Sequence, residues 1–369
     1  MSLNERLREV RSSLKLTLEA VAQRTGLGVS TLSEFEGGKR EPRIGQLKQL
    51  ADAYHRPVSY FLDEAVPPAE LVLWRERPPS PTAERIEARL IELADQYHTL
   101  EVLCDQGSDM DLPRCEGDAE AFGYPDAGRL ARRVRNELGL GDRPGQTLLR
   151  VLEEVCNLKV FHLDFEPSGT AACTLADRYG AAVFLNSRNA PRRRTFDLAH
   201  ELFHLLTWRV FRHHEAADSA VSSPLEEKLA TCFARNLLMP EEVFRGAVDS
   251  QRGASGRVDA DGLGEVAREF DVSVEAVFWQ MGFVYNIPSE KVREYLDQLR
   301  PRMASWDEPA RATPPERPSR FLALARQALR KGLLSTGRYA EYVGISRRDA
   351  MRVVKEDADV EVQIEVAHP

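Results

Sequence analysis

Apolar positions recur with helical spacing along most of this chain and give way to short extended runs in one region. Leu3, Leu7, Val10 and Leu14 share one helical face. Thr17 stands where an N-cap belongs and predicts a second helix to about Arg24, after which Gly26 turns the chain. A third helix is predicted over 29–36, stopped by Gly37 and Gly38, with a fourth over 44–54 and a fifth over 58–62. Two short helices about a glycine turn form the helix-turn-helix pattern. Farther on, a charged helix over 82–105 carries Ile86, Leu90, Leu93, Tyr97, Leu100 and Leu103 on one side, and 106–124, rich in Gly and Asp, reads as a loop. Pro125 opens a helix that ends at Gly139, and another is predicted over 146–156. Three strands follow, 158–163, 170–176 and 181–186, joined by turn-forming residues and expected to make a small antiparallel sheet. An edge strand there would accept an extended peptide by backbone hydrogen bonds.

The stretch 195–206 is apolar nearly all round and is predicted to be a buried helix. It nonetheless reads His200-Glu201-x-x-His204. Residues four apart lie on one side of a helix, so both imidazoles can reach one metal ion, and Glu201 can face a water on that ion. Zinc lowers the pKa of such a water toward about 7, and a carboxylate then takes its proton. The plainer alternative is a core helix with two satisfied histidines. Against it, unpaired buried polar groups cost roughly 2–7 kcal/mol each. A helix beginning near Pro224 buries Ala230, Phe233, Ala234, Leu237 and Leu238, with Glu227 on the same face and Glu226 beside it. Glu227 is the candidate third ligand; His213 or His214 is the alternative, and either could instead donate to an oxyanion. Arg192, Arg193 and Arg194 lead into the metal motif, either as a solvated helix start or as an anion site.

Prolines mark two linkers, 65–83 and 300–318, although 71–74 is apolar enough to dock. Three short helices are predicted over 321–331, 335–343 and 346–355, and 360–366 alternates like a strand. The expected organisation is a helix-turn-helix domain over 1–64, a linker over 65–83, a connecting helix and loop over 84–124, a metal-binding domain over 125–299, a linker over 300–318 and a small helical domain over 319–369.

Net charge is −8, so nucleic-acid contact must come from a local patch and not from a global field. Five scattered cysteines without a Cys-x-x-Cys pair, and a charged rather than apolar N-terminus, point to free thiols in a reducing cytoplasm without a signal peptide. No apolar run approaches the ~20 residues that span a bilayer, so no membrane partner is expected.

Two resemblances add to this reading. The segment LTLEAVAQRTGLGVSTLSEFEGGKREPRIGQLKQLADAYHRPVSYFL resembles the XRE (lambda-repressor-like) DNA-binding domains, with Ala20-Val21-Ala22, Leu32-Ser33, Glu36-x-Gly38 and Pro42 as landmarks. The resemblance implies that Val29, Ser30, Thr31 and Glu34 read base edges of a double-stranded operator, that Lys39, Arg40 and Arg43 hold phosphates, and that the protein is a homodimer. Glu34 suits only a cytosine amino group, which leaves a protein-binding bundle as the alternative. RTFDLAHELFHLL together with EEKLATCFARNLLMP resembles the ImmA/IrrE metallopeptidases over roughly 125–290, including Val272-Ser273 and Ala276-Val277. This implies His200, His204 and Glu227 as ligands of Zn2+ (or Mn2+ on the same donors) and Glu201 as general base. Phe203 departs from a frequent Gly, and Trp279-Gln280 from a common Arg-Leu pair. LLSTGRYAEYVGISRRDAM resembles a small helix-turn-helix-like unit, with a packing or dimerisation element as the alternative.

The fold class expected is mainly α with a small antiparallel sheet: a lambda-repressor-like helical domain, an α+β zincin-like metallopeptidase domain and a helical tail. The function implied is a DNA-binding transcriptional regulator whose zinc endopeptidase cleaves a repressor, a partner or itself, under stress such as DNA damage or phage infection. Single-stranded DNA is the activator the resemblance suggests. The alternative is a regulator whose peptidase-like domain is a non-cleaving ligand sensor or antitoxin-type scaffold.

Overall fold

The computed structural model describes residues 2–13, 16–54, 58–62, 72–79, 82–106, 112–113, 115–166, 171–176, 179–212, 222–253, 256–306 and 313–359. The strand expected at 360–366, and both His213 and His214, lie outside the described residues.

The N-terminal helices are α1 (Leu3–Ser13), α2 (Leu18–Thr25), α3 (Val29–Glu36), α4 (Ile44–Ala53) and α5 (Val58–Leu62). They close over a core of their own that includes Leu7, Val10, Val21, Leu32, Phe35, Leu47, Leu50 and Phe61. Thr17 Oγ1 accepts the Ala20 N–H at 3.2 Å, which satisfies one of the donors a helix start leaves free. Gly26 ends α2 with φ 73°, a left-handed conformation that favours glycine. Arg11 forks onto both carboxylate oxygens of Glu36 (2.6 and 2.8 Å), fastening α1 to the end of α3.

Next come β1 (Val72–Trp74), α6 (Thr82–Leu103), α7 (Tyr124–Glu137), α8 (Leu148–Glu154), β2 (Lys159–Leu163), β3 (Ala171–Ala176) and β4 (Gly180–Asn186). The sheet order is β1-β3-β4-β2. The expected fold class holds, with one correction: the sheet is mixed, not purely antiparallel. β3 and β4 pair antiparallel as a hairpin, with Cys173 opposite Val183. β2 lies beyond β4 and runs parallel to it, with Phe161 opposite Phe184. The other edge of β3 is taken by β1, from the proline-rich 65–83 stretch, with Leu73 opposite Cys173.

Both faces of this sheet are covered. Leu73, Val160, Cys173, Val183 and Leu185 point into one core with α9 (Pro191–Leu206), α10 (Trp208–Phe211), α11 (Pro224–Leu238), α12 (Glu241–Ser250), α13 (Ala260–Phe270), α14 (Val274–Val284) and α15 (Ser289–Trp306). Trp74, Phe161, Ala172 and Phe184 point into a second core with α6 and with α16 (Ser319–Arg330), α17 (Thr336–Val343) and α18 (Arg347–Asp359). That is period-2 alternation with two apolar sides. The C-terminal helices are thus a packing layer of the sheet. Glu101 of α6 binds Lys159 Nζ of β2 at 2.9 Å and also pairs with Arg320 of α16, joining three elements through one buried carboxylate. α15 continues through Pro301 into the stretch expected to be a linker. Among the described residues no helix is long and apolar enough to cross a membrane.

Candidate metal centre

α9 starts at Pro191, a residue pre-set for a first helical turn, and lies against β3 and β4 with His200, Glu201 and His204 at 0, 1 and 1 % exposure. α11 packs beside it. Ser223 caps α11 by accepting the Glu226 N–H at 3.1 Å, which fixes Glu226 and Glu227 in the first turn. One ligand atom each from His200, His204 and Glu227 falls within 4.8 Å of the others. His200 Nε2 lies 3.0 Å from Glu227 Oε2, and His204 Nε2 lies 3.3 Å from Glu227 Oε1.

The two neighbouring glutamates divide. Glu226 turns to the far side of His204, accepting from Nδ1–H at 2.9 Å, and takes both Arg212 guanidinium nitrogens at 3.0 and 3.2 Å. This fixes the orientation of the ring, with Nε2 facing Glu227. The Ser222 hydroxyl donates to Glu227 Oε1. Glu226 was legible only as a neighbour of Glu227. Nothing in the local sequence marked Arg212 or Ser222, since both act through the fold.

Burial and hydrogen bonding oppose one another in setting the charges of this pocket. Burial pushes His200 down to about 3. It works the same way on His204, but hydrogen bonds to Glu226 and Glu227 outweigh it and raise that ring to about 9. Burial would also raise Glu227, yet the two histidines hold its carboxyl far below the usual range. Glu201 is lifted by burial to about 7. Neither of its oxygens has a hydrogen-bond partner among the described residues. The Cys173 thiol of β3 acts on Glu201 from the sheet side and is itself pushed well up by burial. Orphaned buried oxygens beside a two-histidine, one-carboxylate cluster are the donor set a divalent cation with an open position would satisfy.

The candidate DNA-contacting residues lie on α3 and in the segment between it and α4. Leu32 and Phe35 of α3 are buried, whereas Val29, Ser30 and Glu34 are exposed and Thr31 is half-buried. Lys39, Arg40 and Arg43 are exposed between α3 and α4.

Comparison with known families agrees with both halves. Residues 2–59 match the family described as a helix-turn-helix domain. Residues 153–278 match the family described as the IrrE N-terminal-like domain, a peptidase family. The chain therefore joins a helix-turn-helix domain to an IrrE-like peptidase domain. No curated protein matches the chain.

Proposed function

We propose that this protein is a DNA-binding regulator that relieves repression by cutting a repressor protein, either a partner or itself, with a divalent-metal endopeptidase centre. One observation carries the reading: Glu201, buried and with neither oxygen hydrogen-bonded among the described residues, follows His200 directly and stands beside the 4.8 Å cluster of His200, His204 and Glu227. A zinc ion held by those three residues would supply Lewis acidity. Glu201 accepts a proton from the attacking water on its carboxylate and returns it to the leaving amine nitrogen. Burial that holds its carboxyl near neutrality suits one group to both steps. Glu226 and Arg212 orient His204. An extended substrate adds to the edge of β1, whose neighbour β3 faces Glu201 through Cys173; at the opposite edge the His162 N–H already donates to Glu316 O at 3.1 Å. The exposed face of α3 reads the operator, as a homodimer, with Lys39, Arg40 and Arg43 on phosphates.

The test is metal analysis of the purified protein, together with incubation of wild type and Glu201→Ala with neighbouring regulator proteins, with and without single-stranded DNA. One metal per chain and cutting that vanishes in the variant support the reading. One metal and no cutting in any arm would leave a non-cleaving sensor. Equal self-processing by Glu201→Ala would end the self-cleavage version.

A further inference from the structure

The three arginines ahead of the metal motif have three different fates. Arg193 pairs with Asp197 at 3.0 Å, and Arg192 is buried with Asp271 3.8 Å away. Arg194 is half-buried and has no carboxylate within ion-pair distance among the described residues. Its Nη1 donates to the backbone carbonyls of Ser187 and Asn189, and among the described residues Nε and Nη2 make no hydrogen bond. An arginine that is partly desolvated and lacks a counter-ion is a standing electrostatic cost unless something brings it an anion.

Arg194 lines a cavity of about 330 Å³ beneath the first turns of α9. Leu149 of α8 and Leu198 of α9 form apolar walls, and Pro318, just ahead of α16, helps close it. Two further polar groups reach it. His162 of β2 is held neutral by burial and by the charge of Arg194, at about 4, so its ring offers a hydrogen bond without a charge. Glu153 of α8 is raised by burial to about 7. None of the metal-centre residues lines this cavity, although both sites share α9.

We propose that this cavity is a binding site for a small organic monocarboxylate. The carboxylate pairs with the free edge of Arg194 and takes a hydrogen bond from His162; the apolar body lies against Leu149 and Leu198. The size is that of a small-molecule pocket. Glu153, which also lines the cavity, disfavours a second anionic group, and the apolar walls disfavour an inorganic anion, which has nothing to bury against them.

The experiment titrates the full-length protein with benzoate, terephthalate and inorganic phosphate, by calorimetry and by NMR. Benzoate is expected to bind saturably, with terephthalate and phosphate weaker by about tenfold or more. Arg194→Met is expected to weaken benzoate at least about tenfold, and Arg194→Lys less, because a point charge replaces a fork. Leu149→Trp fills the cavity without touching Arg194 and should abolish binding while the ligand-free melting temperature stays within about 2 °C of wild type. No saturable benzoate binding up to about 20 mM, equal affinity in wild type and Arg194→Met, or phosphate binding as well as benzoate would each overturn the proposal.

Discussion

Arg75 Nη1 lies 2.8 Å from Asp197 Oδ1, and this pair ties the edge strand β1 to the helix that carries the metal motif. Asp197 is fully buried and also accepts from Asn189 Nδ2 at 2.9 Å and Arg193 Nε at 3.0 Å. It stands one turn before His200, so the three donors set the position of α9 against the sheet. Arg75 lies outside the span that matches the peptidase family, yet its charge acts on both His200 and Glu201. Arg75→Met leaves Asp197 two donors and is expected to cost about 1–3 kcal/mol in urea unfolding. An unchanged unfolding midpoint would mean that Asn189 and Arg193 suffice.

Glu226→Gln keeps an acceptor for His204 Nδ1–H but removes the charge that Arg212 and the ring both use. Partners of a metal-ligating histidine tune affinity by about 10–100-fold. The variant should release zinc to a competing chelator at correspondingly lower chelator concentration, with the helical circular dichroism spectrum retained. Affinity equal to wild type would remove Glu226 from the metal centre.

Glu201→Gln separates charge from shape. The Glu201 carboxyl moves from an ordinary 4.5 to about 7 on folding. The folded metal-free chain therefore holds that proton more tightly than the unfolded chain does. Stability contributed by this group is complete below about 4.5 and is lost as pH rises through 7, a swing of about 3 kcal/mol. Without metal, the glutamine variant should be more stable than wild type by about 3 kcal/mol at pH 8 and by about 1 kcal/mol or less at pH 5. Urea unfolding in chelator at the two pH values reads this directly; a gain that does not depend on pH would contradict a buried, titrating Glu201.

At the N-terminal domain, Lys39→Ala, Arg40→Ala and Arg43→Ala should each reduce the salt slope of operator binding by about 1 and weaken all sequences alike. Ser30→Ala or Glu34→Ala should instead change which operator bases are preferred. Fluorescence anisotropy across a salt series distinguishes the two patterns. A charge series that leaves the slope unchanged would point to a protein-binding bundle.

The helices were legible in the chain because their signals are local. Thr17, Gly26 and Pro125 cap, stop and start them within a few residues, and Gly37 and Gly38 stop α3 at Glu36. The His-Glu-x-x-His spacing likewise places both rings by helix geometry alone. Tertiary structure decided what depends on distant partners. Arg75 and Asp197 are 122 positions apart, and Arg89 and Glu316 are 227 apart. The strand order was hidden for the same reason. A parallel β2–β4 pair and an edge strand from a proline-rich stretch follow from which faces can be buried on both sides, a property of the assembled layers. Glu226 and Glu227, adjacent and chemically alike, take different roles because one helix turn aims them at opposite nitrogens of His204. Sequence fixes which groups are available; only packing fixes the direction in which each one points.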